Sequence, residues 1–175
     1  MNKLTKYTQF TRPSRELIER LRTFTTPEIC DGAGLYHSMD YRIKPWIGSK
    51  KIVGPAVTVD VPSFGGLVKG GGVVIYGAFR DLDGCEESGF PVYAKGLTCG
   101  TAAKSGAGSI NVPVSCGGVS VKPGDIVIGD VNGVCVISQE EAEDVIERAL
   151  KKIEIQQYTQ AEMNHTGKVF TKMLK

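Results

Sequence analysis

The chain has 175 residues, with 21 basic against 19 acidic side chains and a formal charge of +2. That length suits one domain able to bury its own core, and the balanced charge excludes a nucleic-acid footprint or polybasic membrane patch. Five cysteines (Cys30, Cys85, Cys99, Cys116, Cys135) form no CxxC pair, which excludes zinc-knuckle and thioredoxin-type motifs and predicts reduced, mostly buried thiols.

Residues 1–175 read as a single domain with an N-terminal helical arm (1–25) and a C-terminal helix and tail (138–175). Met1 to Arg12 is polar and unlike a signal peptide, and no apolar run reaches membrane-span length. The expected setting is cytoplasmic. Pro13 to Phe24 predicts a first helix, with Leu17, Ile18 and Leu21 on one face. Thr26-Pro27 starts a second, with Thr26 as its cap and Gly32 and Gly34 ending it. Asp31 in that turn is either a catalytic acid or, more ordinarily, an acceptor for backbone amides.

Lys51 to Val61 reads as a strand. The glycine-rich stretch from Ser63 to Gly72 then either cradles an anion with its backbone N–H groups or simply connects. It carries neither a Walker loop nor a GxGxxG turn. Gly72 to Asp81 is the most informative segment. Val73 to Ile75 have the β-branched character of a strand buried on both faces, and Gly77 allows a sharp turn. Arg80 then offers a planar fork for a carboxylate, and Asp81 offers hard oxygens for a divalent cation. The plainer reading is a surface ion pair at a strand end.

A short helix follows over Leu82 to Ser88, then a strand over Phe90 to Ala94. Thr98 to Ala107 is loop-like. Short strands cover Ile110 to Val114, Val119 to Val121 and Ile126 to Gly129. Asn132-Gly133 is a hairpin signal feeding Val134 to Ile137. Ser138-Gln139-Glu140-Glu141 is a capping box opening an amphipathic helix through about Gln157, with no clear period from Tyr158 onward. His37 and His165, the only histidines, read as surface or packing residues.

Six segments stand in an order that resembles the RraA-like family, named after the regulator of ribonuclease E activity. They are Ile29-Cys30-Asp31-Gly32, Gly54 to Val59, Phe64-Gly65-Gly66-Leu67, Gly77 to Leu82, Gly89 to Gly96 and Val121 to Asp125. That family also contains the 4-hydroxy-4-methyl-2-oxoglutarate aldolases. The resemblance spans about Thr26 to Gln157. It implies an α/β, swivelling β/β/α three-layer domain that assembles as a homotrimer or hexamer, with its site between subunits. It further implies that Arg80 binds the keto-acid carboxylate and steadies the enolate, and that Asp81 holds Mg2+ or Mn2+. Backbone amides of Gly65, Gly66, Leu67 and Val68 would bind the substrate carboxylate. The ribonuclease-regulator branch typically lacks the aspartate at position 81, so Asp81 points toward the enzyme branch.

The chain departs from the family in its middle. Between Val61 and Phe64, and between Leu67 and Gly72, it lacks a helix-and-strand unit and a full helix. Gly66 and Gly84 stand where aldolases usually carry acids. Either the fold is trimmed, or the sequence omits residues of the natural polypeptide. The loop positions of the junctions favour omission, which an intact mass equal to 18.8 kDa would refute. The expected function is a metal-dependent lyase on short α-keto acids, with oxaloacetate decarboxylation passing through the same enolate. A metal-bound water is the economical base, with Asp31 and Glu87 as weaker candidates. The alternative is a non-catalytic regulator binding a ribonuclease or helicase partner, and a third reading keeps fold and assembly without chemistry. Neither direct nucleic-acid nor membrane binding is expected.

Overall fold

A computed structural model describes residues 5–34, 37–48, 50–60, 71–100 and 108–166, apart from the side chains of residues 5 and 164–166. The helix α1 (Arg15–Leu21) is shorter than its sequence pattern, because Ser14 caps it and accepts from the Leu17 N–H. In α2 (Thr26–Ala33) the cap is Thr25 rather than Thr26. Thr25 and Glu28 form a reciprocal capping box, and Gly34 closes the helix. Thr26 is thereby freed to reach across the core, where its N–H and hydroxyl both donate to Asp130.

Strand β1 (Thr5–Lys6) runs in the arm read as helical and pairs in parallel with β7 (Ser109–Ile110). The single strand expected over Lys51 to Val61 is two, β3 (Ile52–Pro55) and β4 (Val59–Asp60), in different sheets. Ala56 exchanges backbone hydrogen bonds with the Lys122–Asp125 turn, which draws the chain out of register between them. Strands β2 (Lys44–Ile47), β6 (Val92–Leu97) and β5 (Val73–Phe79) form one sheet in the order β2-β6-β5. The short helix α3 (Leu82–Ser88) links β5 to its parallel neighbour β6.

The hairpin signalled by Asn132-Gly133 forms between β10 (Ile126–Asp130) and β11 (Gly133–Ile137), but its turn residues are Val131 and Asn132, since Gly133 already pairs with Asp130; β3 pairs on the outer side of β10. A smaller hairpin joins β8 (Val114–Cys116) to β9 (Val119–Val121). The capping box of Ser138 and Glu141 forms as expected, but α4 (Ala142–Thr166) continues well past Gln157.

Side-chain alternation along the central hairpin sorts the core. Ile126, Ile128, Cys135 and Ile137 face α1, α2 and α4, while Val134 and Val136 face inward toward Tyr93, Ile43 and Ile52. A third cluster, Ile47, Phe79, Val92 and Ala94, lies beneath α3. The result is the anticipated β/β/α layering, with α3 covering the far sheet. No helix among the described residues is long and apolar enough to cross a membrane.

Tyr93 fills the seam between the sheets with 0% exposure, and its hydroxyl has no hydrogen-bond partner among the described residues. Burial, reinforced by the Asp130 charge, pushes its phenol above the ordinary tyrosine range. An unpaired buried hydroxyl costs about 1–3 kcal/mol. Tyr93→Phe is therefore expected to raise the urea midpoint, by about 1 kcal/mol of stability; a lowered midpoint would show that the hydroxyl is satisfied.

Candidate functional site

The β5–α3–β6 unit places its turn at the carboxyl end of a parallel strand, the position where α/β sheets most often bind ligands. Gly77 does not make that turn; it lies inside β5. The chain reverses at Asp81 instead, whose φ of 62° and ψ of 54° are left-handed. Aspartate tolerates this region better than most residues with a Cβ. The Asp81 carbonyl accepts from the Cys85 N–H and so opens α3, while the carboxylate makes no cap bond.

Arg80 Nε donates to both Asp81 oxygens, at 3.1 and 3.0 Å. The side chains are 45% and 70% exposed. The two terminal guanidinium nitrogens have no partner among the described residues, so that end of the guanidinium remains open. Neither face of β5 is closed as fully as its β-branched run predicts. Val73, Val74 and Ile75 are half-buried, and Tyr76 is 50% exposed, because β5 lies at the edge of its sheet. On the neighbouring strand Lys95 stands over the Tyr76 ring at 4.6 Å and 3.9 Å from Asp40. Arg42 donates to both Asp40 oxygens and holds that carboxyl down at about 2.

Among the described residues no three of His, Cys, Asp and Glu gather into a metal cage. Asp81 supplies one hard, exposed carboxylate, which fits a magnesium ion that keeps most of its water. The loop residues Gly65, Gly66, Leu67 and Val68 lie outside the described residues, as does the side chain of His165. Glu87 is exposed on α3. His37 is a packing residue, with Nδ1 at 2.9 Å from the Val136 carbonyl.

A separate cavity of about 400 Å3 runs along α2, lined among others by Thr26, Cys30, Asp31, Ser38, Asn132 and Lys152. It includes neither Arg80 nor Asp81. Asp31 is exposed there, and its carboxylate makes no hydrogen bond to a described residue, contrary to the amide-binding role ordinary for such an aspartate. Instead its backbone carbonyl accepts from Lys152, and the Gly32 carbonyl accepts from Arg148. These two cations of α4 satisfy the last carbonyls of α2. Sequence reading missed the cavity because its walls come from four distant segments.

Asp130 anchors the other end of α2. Its carboxylate accepts from the Thr26 N–H and hydroxyl and from the Asn132 N–H and side-chain amide. Burial alone would raise its pKa, but these hydrogen bonds together hold it below the ordinary value. The folded value is thus lower than the unfolded one of about 3.9. The stability gained is fully present above that unfolded value and lost as pH falls through the folded one. Asp130→Ala is expected to cost about 3 kcal/mol at pH 7, with the gap to wild type closing below about pH 4. Urea melts across that range check it; a gap independent of pH would assign the loss to packing.

A protein of Halalkalibacterium halodurans, named a candidate 4-hydroxy-4-methyl-2-oxoglutarate aldolase, is 32% identical over 175 aligned positions, covering 78% of this chain and 83% of that protein. The model of the family described as RraA-like, Aldolase/RraA, matches residues 68–136, which include Arg80 and Asp81. The chain belongs to the RraA-like family. An uncharacterised protein of Methanocaldococcus jannaschii is 34% identical over 170 positions, covering 74% of this chain and 80% of its own. The RraA-like fold itself is shared with a Streptomyces coelicolor protein described as an unusual member of the RNase ES inhibitor RraA family. That match has a TM-score of 0.71 at 22% identity, covering 86% of this chain and 100% of the other.

The alignment to the Halalkalibacterium protein is as long as this whole RraA-like chain yet takes up only 78% of it. About a fifth of the aligned positions therefore have no residue here.

Proposed function

We propose that this RraA-like chain is a divalent-metal-dependent lyase for short α-keto acids. Its reactions would be retro-aldol cleavage of 4-hydroxy-4-methyl-2-oxoglutarate-type substrates to pyruvate and decarboxylation of oxaloacetate. The observation that carries this reading is the Arg80–Asp81 pair, presented open at the carboxyl end of β5. The aldolase name of a 32% identical relative supports it.

Both reactions break a carbon–carbon bond and leave its electron pair on the methylene carbon of pyruvate enolate. A bound Mg2+ or Mn2+, held through Asp81, would supply Lewis-acid polarisation of the keto group. Arg80 would place its terminal nitrogens on the substrate carboxylate and keep a fixed positive charge beside the developing enolate. Gly65, Gly66, Leu67 and Val68 would add backbone N–H donors to that carboxylate. Because Arg80 and Asp81 stand exposed outside the α2 cavity, further walls would come from a neighbouring subunit in a homotrimer or hexamer.

Asp81→Asn separates metal holding from folding, since asparagine also accepts the left-handed backbone. It is expected to weaken Mn2+ binding, read by electron paramagnetic resonance, by about tenfold or more, together with loss of pyruvate release. Unchanged Mn2+ affinity would remove Asp81 from the metal site. The second reading, a non-catalytic regulator of a ribonuclease or helicase, draws on the positions missing relative to the longer relatives. It predicts indifference to Asp81→Asn.

A further inference from the structure

Three successive carbonyls at the exit of β5 are fastened from the protein side. The Phe79 oxygen accepts from the Thr98 N–H at 2.8 Å, and the Asp81 oxygen from the Cys85 N–H at 3.0 Å. Between them, the Arg80 oxygen accepts from the Cys85 thiol, with sulfur and oxygen 3.7 Å apart. Among the described residues no other group donates to that oxygen. Cys85 is half-buried and packs on the cluster of Phe79, Val92 and Ala94, which fixes where its sulfur lies.

The Arg80–Asp81 peptide is trans, and a trans peptide points its N–H opposite to its C=O. With the Arg80 carbonyl turned in toward α3, the Asp81 N–H is turned outward, where it has no acceptor among the described residues. This orientation is held against strain. Half a turn of the one peptide plane would take the Asp81 φ from 62° back to the negative range that residues with a Cβ prefer. It would leave both Cβ atoms nearly in place and present a carbonyl oxygen where the N–H now stands.

We propose that Cys85 is a positioning residue. By holding the Arg80 carbonyl inward, its thiol presents the Asp81 N–H as a donor to the carboxylate of an α-keto acid bound beside Arg80. This inference rests on the keto-acid reading given above. The N–H and the Arg80 guanidinium would share one anion, and a preorganised main-chain donor beside a fixed charge suits a carboxylate or an enolate oxygen. The flipped peptide would instead turn a carbonyl dipole against the same anion.

The test titrates pyruvate into the Mg2+-loaded full chain, follows the Asp81 amide by nitrogen–proton NMR, and compares Cys85→Ala with Cys85→Ser. In the unmodified protein the Asp81 amide proton is expected to move downfield as pyruvate binds. Cys85→Ala removes the thiol donor and is expected to bind pyruvate about tenfold more weakly, the order of one hydrogen bond to a charged group. Its Mn2+ affinity should be unchanged, because the Asp81 carboxylate stays in place. Cys85→Ser keeps a donor at that position and should bind pyruvate like the unmodified protein. Cys85→Val, also without a donor, takes the place of the alanine variant should that one fail to fold. Pyruvate affinity unchanged without the donor, serine as weak as alanine, or an Asp81 amide that stays still while pyruvate binds would each overturn the proposal. Unmodified protein that binds no pyruvate at all would overturn the keto-acid reading itself, and this inference with it.

Discussion

Replacing Arg80 with alanine is expected to lower kcat/KM for pyruvate release by about 10²–10³-fold while leaving the urea midpoint unchanged. The magnitude follows from removing one preorganised positive donor at a developing oxyanion. The unchanged stability follows from the geometry, because the Arg80 side chain bonds only its exposed neighbour Asp81 among the described residues, and such pairs contribute little. Arg80→Lys separates the two proposed roles. It keeps the charge but loses the planar fork, so KM should rise more than kcat falls. Equal activity in the alanine variant would reduce Arg80 to the plain surface ion pair that its sequence context also allows.

A large structural effect is expected from Gly32→Ala. Gly32 sits where α2 crosses α4, and a Cβ there would stand 2.4 Å from the Val145 carbonyl oxygen and 3.0 Å from the Ala149 nitrogen. Both are helix backbone and cannot rotate aside. The helices must separate, which disturbs the packing of Ile29, Val145 and Ala149 and the Arg148 bond to the Gly32 carbonyl. A loss of about 3 kcal/mol is expected, read as a fall in the urea midpoint. Gly84→Ala is the control: nothing lies within 4 Å of its Cβ in α3, and helix propensity alone should add up to about 1 kcal/mol. Equal shifts in the two variants would show that the α2–α4 contact yields.

The elements legible in the sequence are those whose signals are local. Leu82–Ser88 forms the expected helix because Gly89 ends it in a left-handed cap. Asn132-Gly133 and the Ser138–Glu141 box act within three residues of themselves. The errors are long-range. Thr25 and Thr26 look equivalent before Pro27, and only Asp130, 104 residues away, decides that Thr26 serves the core and not the cap. Lys51 to Val61 has the pattern of one strand, yet distant partners β10 and β7 divide it. Val73 to Ile75 look fully buried because β-branched content does not reveal a sheet edge. Cys135 is buried as expected, but Cys99 is exposed and Cys30, Cys85 and Cys116 lie between, since composition alone does not place a thiol.

Site chemistry was legible as residue types more than as geometry. Arg80 and Asp81 stand together at the end of β5, as their adjacency requires. The left-handed turn at Asp81 that aims them was instead expected at Gly77. The α2 cavity left no sequence signal, because its lining is assembled from α2, Ser38, the start of β11 with the preceding Asn132, and Lys152.

Pyruvate release from 4-hydroxy-4-methyl-2-oxoglutarate and from oxaloacetate, measured with magnesium and then with excess chelator, tests the central claim most directly. Turnover that stops on chelation and returns with added metal is the expected result. No pyruvate from either substrate, in a folded and assembled preparation supplied with metal, would contradict it.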